Sequence, residues 1–185
     1  MPLRSLNNYI ERISNLISTE EKKFLNPLGL QPIHLRVLNY LSISNKYSNT
    51  PIAVSKYLGN TKGTTSQSIN LLEKRGYIEK LKSMDDKRNI KIALTNRGVS
   101  LLDLLNNNVD KLCSENIKIT DAEKAVMEIL KDIQRLNKYK TFGVCHSCKF
   151  FTTEEIGFRC GLTKEPLYTE EINQICFEHE VKTSG

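Results

Sequence analysis

Apolar residues recur at helical spacing along most of this chain, and the breaks in that spacing mark its elements. From Leu3 to Asn26, Leu6, Tyr9 or Ile10, Ile13, Leu16 and Ile17 fall at steps of three and four with charged residues between them, which predicts an amphipathic helix. Pro27-Leu-Gly-Leu30 ends it. Gln31 to Ser44 predicts a second helix, with Pro32 in its first turn and Ile33, Leu35, Val37, Leu38 and Leu41 apolar. His34 within it reads as a surface or hydrogen-bonded structural residue. Ser42 to Asn49 is polar and loop-like. Thr50 then caps a short helix that has Pro51 in its first turn and Ile52, Val54 and Leu58 on one face, and Gly59-Asn60 breaks it. A further helix opens near Thr61 or Lys62, turns Thr65, Ile69 and Leu72 inward, and stops at Gly76, placed for a left-handed cap. Tyr77 to Lys82 and Asn89 to Leu94 are strand patterns flanking Ser83-Met-Asp-Asp-Lys-Arg88, a hairpin tipped by charge.

Beyond the hairpin, Thr95 caps a helix striped by Val99, Leu101, Leu102, Leu105, Val109 and Leu112. Thr120-Asp-Ala-Glu123 reads as a capping box opening a last helix to about Lys138, with Ala125, Val126, Ile129, Leu130, Ile133 and Leu136 as buried positions. These terminal helices have more apolar surface than one small domain covers, so Leu3 to Asn26 and Thr120 to Lys138 predict a homodimer interface. The fold class that results is mainly α with a small β-hairpin wing. Residues 1–30 and 99–140 are dimerisation helices, 31–98 a winged helix-turn-helix, and 141–185 a cysteine-rich tail.

Charge separates these parts. Pro51 to Gly98 carries ten cations and four anions, a net +6 that equals the charge of the whole chain, whereas from Cys145 onward four cations face seven glutamates, a net −3. A basic hairpin beside a polar helix is an electrostatic footprint for nucleic acid. The outer face of the helix near Thr61 holds Thr64, Gln67, Asn70 and Lys74. Gln67 and Asn70 are candidates for base edges, Thr64 and Ser66 for bases or phosphates, and Lys62, Lys74 and Lys87 for phosphates, with Arg88 entering a minor groove. A helix that docks protein would show aromatic or large apolar anchors there, and only Leu71 lies at the margin. That weighs against a protein-interaction module with the tail as its docking surface.

The run Thr61-Lys-Gly-Thr-Thr-Ser-Gln-Ser-Ile-Asn-Leu-Leu-Glu-Lys-Arg-Gly-Tyr-Ile78, followed by Asp85-Asp-Lys-Arg88 and Leu94-Thr-Asn-Arg-Gly98, resembles the winged helix-turn-helix of the MarR family. The resemblance covers roughly residues 1–140. It implies a homodimeric bacterial transcription factor on double-stranded DNA, with recognition helices in successive major grooves and half-sites about 10 base pairs apart. It also implies that Asp86 orients the wing arginine, Arg88, and that Lys87 stands where the family usually has Arg. A pocket for a small-molecule effector between dimer helices and winged unit is a further family expectation.

The tail is outside that resemblance. Cys145-His-Ser-Cys148, Cys160 and Cys176 form C-x2-C-x11-C-x15-C, a metal-knuckle spacing followed by two further thiols, among Phe142, Phe150, Phe151, Phe158 and Phe177. Four thiolates suit Zn²⁺, an iron–sulfur cluster or a thiol/disulfide switch, and spacing leaves the three open. Zinc is the expectation. His146 and His179 are reserve ligands, expected to be exposed beside a shell that four cysteines complete. Cys113, beside Leu112, reads as a small core residue. No apolar run reaches the roughly 20 residues of a membrane span and Met1 to Asn8 has no apolar signal core, so the expectation is a cytoplasmic protein with no membrane partner. With three histidines and no phosphate-binding Gly-rich loop, an enzyme is not expected.

Overall fold

A computed structural model describes residues 2–82, 90–112 and 119–182. The wing tip, with Asp86, Lys87 and Arg88, and Cys113 lie outside the described residues. Six helices and two small sheets follow one another as α1 (Pro2–Leu25), α2 (Pro32–Ile43), α3 (Pro51–Leu58), α4 (Lys62–Lys74), β1 (Ile78–Lys82), β2 (Ile90–Leu94), α5 (Asn96–Asp110), α6 (Ile119–Asn137), β3 (Phe151–Thr153), β4 (Phe158–Cys160) and β5 (Pro166–Leu167).

The core lies where α2 meets α3, α4, α5 and the hairpin. Leu35, Val37, Leu38 and Tyr40 of α2 are buried with Val54, Ile69, Leu72, Ile78, Ile92 and Leu105, and each such side chain contributes about 1.5–3 kcal/mol by leaving water. In α3 Val54 is buried and Leu58 packs against the core as expected, and Ile52 departs from the pattern. Ala53, Val54 and Ser55 are inside, whereas Ile52 is 50% exposed. Strands β1 and β2 pair antiparallel from Ile78↔Leu94 to Lys82↔Ile90. The hairpin leads into α5 through a tight junction. Thr95 accepts from the Gly98 amide and donates to the Gly76 carbonyl, and a Cβ on Gly98 would lie 2.1 Å from the Tyr77 oxygen, so glycine alone fits there.

The terminal helices behave differently from the middle of the chain. Helix α6 buries none of its residues within this chain. Val126, Leu130 and Leu136 are exposed, a correction to their assignment as buried positions, as are Leu3, Tyr9, Ile13 and Leu16 of α1. Thr120 sits inside the first turn of α6 instead of capping it. In the tail, β3, β4 and β5 form an antiparallel sheet, and one-turn 3-10 helices lie at Cys145–Ser147 and Glu171–Asn173.

His34 is a structural residue of α2. It is buried, and its Nδ1 accepts from the Gln31 amide at 2.8 Å in a reciprocal cap. Burial lowers its pKa from the ordinary 6.5, so the unfolded chain takes up the proton first as pH falls. The stability due to neutral His34 is complete above pH 6.5 and declines as pH drops toward the lower folded value. His34→Gln, which keeps an acceptor but cannot titrate, is expected to show a smaller fall in Tm between about pH 7 and pH 5 than the parent, measured by thermal unfolding at both pH values.

Candidate nucleic-acid interface and thiol cleft

Helix α4 presents its polar side to solvent because α3 and the hairpin pack on the opposite one. Gly59 turns the chain between α3 and α4 at φ +66°, and the Thr61 hydroxyl caps α4 by accepting from the Thr64 amide at 3.2 Å. Thr65, Ser68, Ile69 and Leu72 face inward. Lys62, Thr64, Ser66, Gln67, Asn70 and Lys74 are all exposed on one helix. They are not equally free. The Thr64 hydroxyl shares a hydrogen bond with that of Thr61 at 3.0 Å. The Asn70 Oδ1 accepts from Lys80 Nζ at 2.6 Å, and Lys80 also pairs with Glu73 at 2.6 Å. A bidentate contact to adenine needs an acceptor and a donor from one amide. Asn70 already spends one lone pair of its Oδ1 on Lys80, while Gln67 makes no side-chain hydrogen bond among the described residues and keeps its amide wholly free.

Lys80 was not among the residues expected to matter. Strand alternation carries the signal, since Ile78 faces the core and residue 80 shares its side. Arg75 is drawn away from the surface charge: its guanidinium donates to the Leu28 carbonyl at 2.8 Å.

The tail brings its four cysteines to one cleft. Cys145 and Cys148 are buried, Cys160 and Cys176 half-buried, and all are free thiols. They line the cleft together with Asn45. The Cys145 thiol hydrogen-bonds to Cys176, which holds the Cys176 pKa well below the usual thiol range, helped by Asn45 and Ser48 and opposed by burial. That same bond, with burial, pushes Cys145 up. Among the described residues no three His, Cys, Asp or Glu side chains are arranged as they would be around an ion. A metal would therefore have to draw the thiols together. The donor set itself, four soft sulfurs in a mostly apolar cleft, fits a thiophilic metal.

Neither tail histidine enters the cleft. His146 is exposed, with Nδ1 3.2 Å from the Ile172 carbonyl. His179 is buried, a correction to the exposure expected, because both ring nitrogens are engaged, by Thr141 and, at 2.9 Å, by Ser147. Gly143 leaves the room for that ring, since a Cβ there would stand 2.5 Å from it.

The tail packs on the winged unit of its own chain. Ile175 donates to the Ile43 carbonyl at 2.8 Å and accepts from the Asn45 amide at 3.0 Å. Phe142 lies edge-on to Tyr57 with centroids 5.1 Å apart and tilts against Phe177 at 5.6 Å, over Tyr40. Tyr47 donates to Glu165 at 2.7 Å and Lys46 pairs with Glu171 at 3.3 Å.

Comparison with known proteins now adds to the geometry. Residues 28–89 match the family model described as the MarR family. This segment is similar to the winged helix of that family. The chain is 29% identical over 94 residues to the HTH-type transcriptional regulator PapX of Escherichia coli, an alignment covering 51% of this chain and 57% of PapX. It therefore spans little more than half the length of that curated relative. Among solved structures, Streptococcus pneumoniae FabT in complex with DNA superposes with a TM-score of 0.55 at 26% identity, covering 72% of this chain and 99% of FabT. A MepR mutant from a multidrug-resistant S. aureus clinical isolate superposes with a TM-score of 0.59 at 19% identity, covering 71% and 96%, and shows the same fold. More than a quarter of this chain thus has no counterpart in either structure.

If the aromatic contacts seat the tail on the winged unit, Phe142→Ala is expected to destabilise the protein by about 2 kcal/mol, below the full-core range because Phe142 is half-buried. Urea unfolding gives the loss, and hydrogen exchange is expected to quicken in residues 141–145 and 174–177.

Proposed function

We propose that the protein is a sequence-specific DNA-binding transcriptional regulator of MarR type that binds a pseudo-palindromic operator as a homodimer. The observation that carries this reading is the exposed polar stripe on α4, with the Gln67 amide unengaged by the described residues, in a segment of net charge +6. Gln67 and Asn70 read base edges, and Thr64 and Ser66 reach bases or phosphates. Lys62, Lys74 and Lys87 contact phosphates, and Arg88, oriented by Asp86, enters a minor groove. The DNA complex of FabT supports the geometry. The uncovered apolar faces of α1 and α6 support a dimer built from both helices. A small-molecule effector would bind between the dimer helices and the winged unit, and a cleft of about 130 Å³ between α1 and α5, lined by Glu21, Phe24 and Leu105 among others, offers room on the dimer-helix side.

Mobility shifts with a duplex selected from a random pool test the interface. Gln67→Ala is expected to relax sequence preference at one position, at a cost of about 1–3 kcal/mol for the cognate base. Lys74→Ala is expected to weaken all sequences alike and reduce the slope of log K against log[salt] by about one. Unchanged affinity at every salt concentration in both variants would remove α4 from the interface.

The tail reads as a four-cysteine zinc site of Cys145, Cys148, Cys160 and Cys176. Its support is the convergence of four free thiols on one cleft, and a four-thiolate shell adds on the order of 10 kcal/mol to the folding of such a module. Proximity of Cys145 and Cys176 favours, as the second reading, redox sensing by a disulfide or an iron–sulfur cluster. Anaerobically purified protein is expected to be colourless and to contain one zinc per chain by elemental analysis. A brown protein with iron and sulfide, or a metal-free protein that loses two thiols on mild oxidation, would replace zinc by the second reading.

A further inference from the structure

The thiol cleft and the reading head share one segment of backbone, residues 44–50 between α2 and α3. On one side of it, Asn45 is 1% exposed and donates through Nδ2 to Cys145 Sγ at 3.3 Å, while its Oδ1 accepts from the Tyr47 amide at 3.1 Å. Ser48, also 1% exposed, accepts from the Phe177 amide at 2.8 Å through Oγ and from the Tyr40 hydroxyl at 2.9 Å through its carbonyl. On the other side the same segment holds the wing. The Asn49 carbonyl accepts from the Ile92 amide at 2.8 Å, and Lys91 Nζ donates to the carbonyls of Lys46 and Tyr47 at 2.8 and 3.1 Å. Thr50 then caps α3. Thiols, connector and wing strand form one chain of direct hydrogen bonds.

We propose that the thiol cleft is a zinc-responsive regulatory input to the DNA-reading head, and that Asn45 is the positioning residue that carries its state into the connector. The inference rests on the zinc reading above. On binding, each thiol that joins the metal releases its proton to solvent, and the resulting four-thiolate zinc shell carries excess negative charge. A buried amide donor aimed at such a sulfur strengthens as the charge appears. Zinc thereby fastens the connector on its tail side, and the connector fixes the base of the wing and the start of α3. Without zinc the charge that metal binding adds at Cys145 is missing, the Asn45 bond is weaker, and DNA binding bears the cost of ordering these elements.

The experiment uses the full-length protein, Zn²⁺ alone as ligand, and a duplex selected from a random pool by the zinc-loaded parent. Zinc affinity is read by competition with a chromophoric chelator, amide exchange by mass spectrometry, and DNA affinity with and without chelator. In the parent, zinc is expected to slow exchange at residues 44–50 and 90–94 and to tighten DNA binding at least about tenfold. Asn45→Asp retains an oxygen for the Tyr47 amide but replaces the donor with a carboxylate facing the thiolates. It is expected to lower zinc affinity about 10–100-fold and, at saturating zinc, to abolish the effect on DNA. A residue needed only for turn geometry would tolerate that change, so Asn45→Asp with parental zinc affinity overturns the role given to Asn45. One zinc per parent chain, with exchange and DNA affinity unaltered by its removal, overturns the regulatory proposal and leaves the zinc reading intact. That arm requires no variant to fold. A parent that takes up no zinc in the competition overturns the zinc reading itself, before any DNA is added.

Discussion

Main-chain pairing of Ile175 with Ile43 and Asn45 is the constraint on which the arrangement of this protein turns. A short segment of the tail bridges residue 44 just after α2, and the same segment pairs with residues 143–145 through Val144. Cys145 and Cys176 flank this pairing, so the backbone that joins the tail to the winged unit also sets two of its thiols side by side. Phe142 and Phe177 close over Tyr40 and Tyr57 for the same reason. Without the Ile175 pairing the aromatic groups would have no register and the thiols no common cleft.

Periodicity made the winged unit legible. The caps at Thr50, Thr61 and Thr95, the left-handed glycines at 59 and 76, and the inward set Thr65, Ile69 and Leu72 all follow from local chemistry, which is why they appear where spacing places them. Ile52 departs from the pattern because α3 is short and the angle at which it meets α2 and α4 decides which side is covered. The apolar stripes of α1 and α6 were equally readable, but a stripe says only that a partner surface exists and not whether it lies in the same chain. In this chain those faces stay open.

The candidate sites were legible in their residue types and much less so in their engagements. Nothing local in Ser44-Asn-Lys-Tyr-Ser-Asn49 distinguishes a solvated loop from a seat for a distant segment, because the groups that satisfy its buried side chains include residues beyond position 140. Asn45 and Ser48 are buried polar residues, and burial of polar groups is created by tertiary contact, which no periodicity records. The exposure expected of His179 failed for the same reason: Thr141 and Ser147 meet it only after the chain has folded back.

The clamp from Lys80 to Asn70 and Glu73 has an evolutionary consequence. It allows a residue of the wing to set the hydrogen-bonding valence of a residue on α4. If α4 reads DNA as proposed, operator preference in descendants of this chain can drift through position 80, outside that helix and without any new contact to DNA. Two regulators with identical α4 sequences need not share a binding site.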